Sequence, residues 1–164
     1  MQGHHAAVNH IAFSSDNITI GTASDDHSVR LWNRSTGKQI AKLHEPGDGK
    51  ISTCHFSPDG VLIAALVNHE KVRVWNSALQ CTHTIIQRGH TLPIKWCSFS
   101  VDAQYVVTAS DDASYIIWDY SQEDPVIMHH AKAAHSSGIK YITFSPSGKF
   151  LASAGYDKTV HVWR

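Results

Sequence analysis

Helical periodicity is absent from this sequence: no window repeats its apolar residues at the three-to-four spacing of an amphipathic helix. No apolar run approaches the ~20 residues that cross a bilayer as a helix. The opening Met1-Gln2-Gly3-His4-His5 has neither the charged nor the apolar region of a signal peptide. Cysteine is scarce, and Cys54, Cys81 and Cys97 form no CxxC pair and no paired framework. Two of them fall where apolar strand residues are expected, which points to buried thiols in a reducing compartment, cytosol or nucleus. There the sequons at Asn17 and Asn33 carry little meaning. An excess of either charge is lacking too, with 14 basic and 14 acidic residues scattered along the chain. Without a concentrated basic face, nucleic acid is an unlikely partner. Phosphate-loop patterns are missing. What remains is an ordinary globular composition, 42% apolar and 17% charged, with 164 residues to bury a core.

The sequence repeats. Phe-Ser pairs begin at Phe13, Phe56, Phe99 and Phe144, and tryptophans stand at Trp32, Trp75, Trp118 and Trp163. Both series step by 43, 43 and 45 residues, and each Phe precedes its Trp by 19. Five residues before each Phe lies Val8, Ile51, Ile94 or Ile139, and two before it Ile11, Cys54, Cys97 or Ile142. A self-similar period of this length marks a repeat architecture.

Within each repeat the pattern is that of short strands separated by turns. A turn follows each Phe, as in Ser57-Pro58-Asp59-Gly60 and Ser145-Pro146-Ser147-Gly148. Pro presets the second turn position, and Gly or Asn tolerates positive φ at the last. Ala103 is a poor residue for that last position and predicts mild strain. Inner strands are expected over 61–66, 105–109 and 150–154, and third strands over 29–32, 72–75 and 160–163. More polar outer strands are expected near 38–43, 81–86 and 125–130.

These residues resemble the WD-repeat β-propeller family over essentially the whole chain. The Gly-His … Trp-Asp pattern stands as Gly3-His4…Trp32-Asn33, Gly89-His90…Trp118-Asp119 and Ala134-His135…Trp163-Arg164. Only Asp119 keeps the final Asp. The resemblance implies an all-β fold of four-stranded antiparallel blades, one unit over 1–164, with blades at about 3–43, 44–86, 89–130 and 134–164. The fourth would lack its outer strand. Propellers of the family usually close at seven or eight blades. The expectation is therefore a partial propeller that associates with the rest of a longer one or with a second copy as a homodimer.

The resemblance further implies a hydrogen-bonded tether inside each blade, running Trp to a strand hydroxyl to His to Asp. A buried indole N–H needs an acceptor, and such a network stabilises only when every member is satisfied. Repeat one offers His4, Asp26, Ser24 or Thr22, and Trp32; repeat three offers His90, Asp112, Ser110 or Thr108, and Trp118. Repeat four offers His135, Asp157, Ser153 and Trp163. Repeat two offers only Trp75, since Gly47, His69, Ala65 and Val67 occupy the partner positions. It is expected to be an apolar-packed blade, with His44 pushed out of register by Glu45-Pro46-Gly47-Asp48-Gly49.

Partner contacts in the family lie on the top face, beside the first apolar residue of each inner strand and just before the hairpin Asp. Here these positions are Ala7, Asn9 and Asp25; Lys50, Ser52 and Asn68; Pro93, Lys95 and Asp111; Gly138, Lys140 and Tyr156. Lysines mixed with aspartates suit a charged peptide, and Tyr156 is an aromatic of the kind enriched at binding hot spots. Trp96 reads as packing within its strand. The Trp-Asp-x-Arg box of ubiquitin-ligase adaptors is missing, Ser35, Ala78 and Ser121 standing at its last position, and so is the Phe-Arg-Arg-Gly loop for phosphoinositides. The His-Asp-Ser sets recur once per blade, whereas a catalytic triad converges once per protein. The adjacent pairs His4-His5 and His129-His130 point to opposite strand faces, so neither metal nor cofactor is expected. The expected function is a non-catalytic protein-interaction scaffold, with nucleic-acid or chromatin recognition as the alternative.

Overall fold

The computed structural model describes residues 1–76, 81–86, 88–121 and 124–164; Ala78 lies outside the described residues. Among the described residues fifteen strands form four antiparallel sheets, each a meander in chain order. The first holds β1 (Val8–Phe13), β2 (Thr19–Ser24), β3 (Val29–Asn33) and β4 (Gln39–Leu43). The second holds β5 (Ile51–Phe56), β6 (Ile63–Val67), β7 (Lys71–Trp75) and β8 (Cys81–Ile86), and the third β9 (Ile94–Phe99), β10 (Tyr105–Ser110), β11 (Tyr115–Asp119) and β12 (Val126–Ala131). The fourth has three strands, β13 (Ile139–Phe144), β14 (Leu151–Gly155) and β15 (Val160–Trp163).

Register explains the 19-residue Phe-to-Trp spacing. Phe56 pairs with Ile63, which pairs with Trp75; Phe99–Val106–Trp118 and Phe144–Leu151–Trp163 form the same cross-strand row, as does Phe13–Ile20–Trp32. Rows of this kind are the unit of sheet stabilisation. The turn after each Phe also has a repeated device. Ser14, Ser57 and Ser100 hydroxyls donate to Asp16, Asp59 and Asp102 carboxylates, each at 2.5 Å. Ala103 adopts φ 54°, the left-handed conformation that Gly60 and Gly148 take at φ 74° and 70°.

The core lies between the sheets. Ala23, Val29, Leu31 and Leu43 of the first sheet meet Ile51, Cys54, Ala65 and Trp75 of the second. The second sheet's other face, with Ala64, Leu66, Val72 and Val74, meets Ile94, Cys97, Val106 and Trp118 of the third. Val107, Ala109 and Tyr115 then meet Ile139, Ile142 and Leu151. Strands buried on both faces, β6 above all, therefore read as continuous apolar runs. On the first sheet, Val8, Ile11 and Phe13 are each more than half exposed, although their counterparts in the other sheets pack between blades; so are Val160 and Val162 of β15.

Inner strands also touch around the axis. Trp96 of β9 lies 5.5 Å from the His10 ring, 4.8 Å from His55 and 4.8 Å from Tyr141, so it meets a ring from each of the other three sheets. Its packing is thus between blades as well as within its strand. Burial lowers the pKa of His10, and burial with His10 beside it holds His55 down to about 3. These are neutral stacking rings. Burial pushes the Cys54 and Cys97 thiols up to about 12, as befits apolar core residues.

Candidate interaction surface

Each inner strand carries the same β-bulge one residue after its first apolar position. Register shifts occur at Val8/His10, Ile51/Thr53, Ile94/Trp96 and Ile139/Tyr141. The extra residues are Asn9, Ser52, Lys95 and Lys140. A bulge re-aims its side chain out of the strand's alternation. A second element fixes the hairpin beside it: the N–H groups of Asp25, Asn68, Asp111 and Tyr156 donate to the carbonyls of Ala7, Lys50, Pro93 and Gly138 at 2.9–3.0 Å. The residues named for the top face are thereby gathered into four equivalent triplets, one per blade.

Their charges are largely spent on one another. Lys50 reaches Asp25 at 3.1 Å across two blades, and Asn9 donates to the same carboxylate at 2.8 Å. Those contacts, Asn9 first, hold the Asp25 carboxyl below its ordinary range. Lys95 pairs with Asp111 at 3.0 Å. Lys140 is exposed with its ammonium 5.4 Å from the Tyr141 ring, and Tyr156 is exposed. Asn9, Asp25, Lys50, Ser52 and Asn68 line an open depression of about 650 Å³ with His69 and Glu70.

In blades one, three and four a hydrogen-bonded tether runs behind the hairpin. In blade one the Trp32 indole N–H donates to Thr22 Oγ1 at 2.8 Å, Thr22 bonds His4 Nε2 at 2.6 Å, and His4 Nδ1 bonds Asp26 at 2.8 Å. A carboxylate only accepts, so Nδ1 carries the proton and the threonine hydroxyl donates to Nε2. Blade three repeats this through Trp118, Thr108, His90 and Asp112 at 2.8, 2.9 and 3.2 Å. Blade four does so through Trp163, Ser153, His135 and Asp157 at 2.9, 2.8 and 2.9 Å. Of the two hydroxyls open in the sequence, Thr108 makes the tether. Ser110, two residues on, instead donates to the Leu92 carbonyl at 2.8 Å and accepts the Asp112 N–H, bracing the loop. Burial pushes the Asp112 carboxyl up, but Ser114, the Thr91 and Ser114 N–H groups and His90 outweigh it and hold it low. Each hydroxyl of these sets is buried and occupied by an indole, an arrangement unlike an exposed nucleophile.

Blade two is not simply apolar. The loop expected to be a mere insertion folds back and buries Asp48, whose carboxylate holds Lys71 at 2.6 Å and Arg73 at 3.0 Å. Arg73 also donates to Thr84 at 2.6 Å, and Glu45 accepts the Trp75 indole N–H at 3.4 Å. The physical reason is that a buried carboxylate demands cationic partners, which β7 supplies. Lys71 and Arg73 two apart, below an acidic loop, were the signal in the sequence. His69 joins blades: its Nδ1 bonds the Ile94 carbonyl at 3.0 Å, and its own carbonyl accepts the Ile94 N–H at 2.7 Å.

Comparison with known proteins follows this geometry. The profile of the WD domain, G-beta repeat, matches residues 1–33, 37–76, 79–119 and 128–164. Protein HIR1 of Yarrowia lipolytica is 26% identical over 164 residues, covering 100% of this chain and 13% of that protein. Small ribosomal subunit protein RACK1 of Neurospora crassa is 36% identical over 165 residues, covering 99% of this chain and 51% of that protein. A chain in the crystal structure of the mitotic checkpoint complex superposes with a TM-score of 0.84 at 20% identity, over 100% of this chain and 51% of its own length. The chain thus spans about half or less of these proteins. Within the described residues no helix is long and apolar enough to cross a membrane. The four repeat matches and four antiparallel meander sheets make this chain a member of the WD domain, G-beta repeat family of β-propellers.

Proposed function

We propose that the chain is a non-catalytic scaffold of the cytosol or nucleus, and that it captures a protein or peptide on the face formed by the four bulge triplets. The observation that carries this reading is the repeated bulge. Four times it spends a defect in strand pairing to present Asn9, Ser52, Lys95 or Lys140 beside a hairpin residue, at one edge of blades otherwise held rigid. Two of the three rim lysines are neutralised by Asp25 and Asp111, which favours a protein partner over a nucleic-acid backbone. The apolar surfaces of β1 and β15 are of the kind that join blades elsewhere in the chain, and further WD blades, in a longer propeller or a second copy, suit them.

Affinity capture with mass spectrometry, comparing wild type with Lys140→Glu and Tyr156→Ala, tests the rim. Both substitutions are at exposed positions and should move stability by under about 0.5 kcal/mol while lowering partner recovery. Undiminished capture by both variants would place the working surface elsewhere. Recovery that instead collapses with rising salt and depends on nucleic acid would favour the chromatin reading.

A further inference from the structure

The residue two before each blade's strand tryptophan (Trp32, Trp75, Trp118 and Trp163) differs among the blades. In blade one Arg30 sends a guanidinium to the tether carboxylate of Asp26, at 3.5 Å. In blade two Arg73 holds Asp48, and in blade three Ile116 is apolar and buried. In blade four the matched residue is His161, half-buried on β15, its ring stacked on the tether His135 with centroids 4.3 Å apart and planes at 23°. The position facing the carboxylate is thus held by a group that can donate a lone pair, where two other blades place a permanent cation.

We infer that His135, Asp157 and His161 form a binding site for a divalent transition-metal ion of the zinc type. The donor atoms of the three side chains lie within 4.8 Å of one another. His135 Nδ1 and an Asp157 oxygen are already 2.9 Å apart. Tetrahedral zinc with bonds of 2.0–2.2 Å needs ligand separations of about 3.3 Å. His161 must therefore swing off its stack and approach by roughly 1.5 Å, a rotation open to a half-buried side chain. The ion takes the lone pair of His135 Nδ1, and the single ring proton that Nδ1 carried passes to Nε2, so the imidazole stays neutral and no net proton is released. His135 Nε2–H then donates to Ser153 Oγ, 2.8 Å away, and the Ser153 hydroxyl proton turns aside. An outward-facing N–H anchored in this way is the usual support of a metal-ligating histidine. Asp157 is oriented by the Thr159 hydroxyl and N–H at 2.8 and 3.0 Å and by the Ser136 N–H at 3.0 Å. Two nitrogens and one oxygen leave a fourth position for water or for a partner's side chain.

The sequence concealed this set because its members stand 22 and 4 residues apart on a loop, a hairpin and a strand. Only the blade's fold brings them together.

The test is a calorimetric titration of the full chain with Zn²⁺ in two buffers of different ionisation enthalpy, with Co²⁺ absorption as the geometric probe. One equivalent should bind with the same enthalpy in both buffers, since no net proton is released, and Co²⁺ should give the visible bands of a tetrahedral site. His161→Arg installs the residue blade one already carries at this place. It should keep the circular dichroism and melting of the wild type while losing about a hundredfold in affinity, the upper end of what even outer-shell changes cost. His161→Gln should do the same, whereas His5→Ala and His130→Ala should bind as wild type. Absence of stoichiometric binding would overturn the site. So would retained affinity in folded His161→Arg, or loss of binding in the His5 and His130 variants instead.

Discussion

Blade two offers the sharpest test of how this chain is held together. Asp48 has a fully buried side chain between Lys71 and Arg73, whose side chains keep 22% and 17% of their exposure. Asp48→Ala strands two cations in a partly closed site. Breaking a buried pair costs about 3–5 kcal/mol. The residual solvation of both cations, and the bond Arg73 keeps to Thr84, reduce this to about 2–4 kcal/mol. For a chain of this size that is roughly 5–15 °C in melting temperature. Adding Arg73→Leu to Asp48→Ala removes one stranded charge and should recover more than about 1 kcal/mol, since contacting residues are not additive. Burial tends to raise the Asp48 pKa, but the hydrogen bonds and charges of Arg73 and Lys71 outweigh it and hold it low. A depressed carboxyl contributes stability above its unfolded pKa of about 4 and loses it as pH falls through the folded value. The gap between wild type and Asp48→Ala should therefore be constant at neutral pH and narrow below about pH 4. Urea denaturation at several pH values measures all of this. A loss under about 0.5 kcal/mol, or strictly additive losses in the double variant, would refute the buried ionic network and restore an apolar blade two.

Two further outcomes follow from the geometry. Thr108→Val should cost about 1–3 kcal/mol and shift the Trp118 indole proton resonance, whereas Ser110→Ala should leave that resonance in place; a shift in Ser110→Ala alone would reverse their roles. The exposed Val8, Ile11, Phe13, Val160 and Val162 should make the isolated chain self-associate in light scattering, and Ile11→Lys with Val162→Glu should reduce it. A monodisperse wild-type monomer would count against apolar docking at these faces.

The fold was legible because its signals are periodic. Phe-to-Trp spacing encodes a three-strand row, and the strands fall within about two residues of expectation, Ile63–Val67 against 61–66 being typical. The first and third expected outer strands, near 38–43 and 125–130, begin one residue later at Gln39 and Val126. The tether residues were visible through the family pattern, but the choice between Thr108 and Ser110 was not. Both side chains point to one strand face, and only the lean of Trp118 across the sheet decides between them. Blade two was misread because Asp48 and Arg73 lie 25 residues apart and outside the shared register, where periodic reasoning has no purchase. The neutralisation of Lys50 by Asp25 crosses two blades and is likewise invisible to a repeat-by-repeat reading.

The ring cluster around Trp96 has a spectroscopic consequence. Among the five indoles, Trp32, Trp118 and Trp163 donate to hydroxyls of their own sheets and Trp75 to its blade's loop, while Trp75, Trp118 and Trp163 each also pack against one neighbouring sheet. Trp96 alone among them touches His10, His55 and Tyr141 from three other sheets. A slip of one blade past its neighbour that left every sheet intact would wet Trp96 wherever the slip occurred, and would add Trp75 or Trp118 when it opened the seam on which that indole packs. The emission of Trp96 would move to the red while far-ultraviolet ellipticity stayed constant. The chain thus carries a natural gauge of blade-to-blade alignment, readable apart from the folding of the blades themselves.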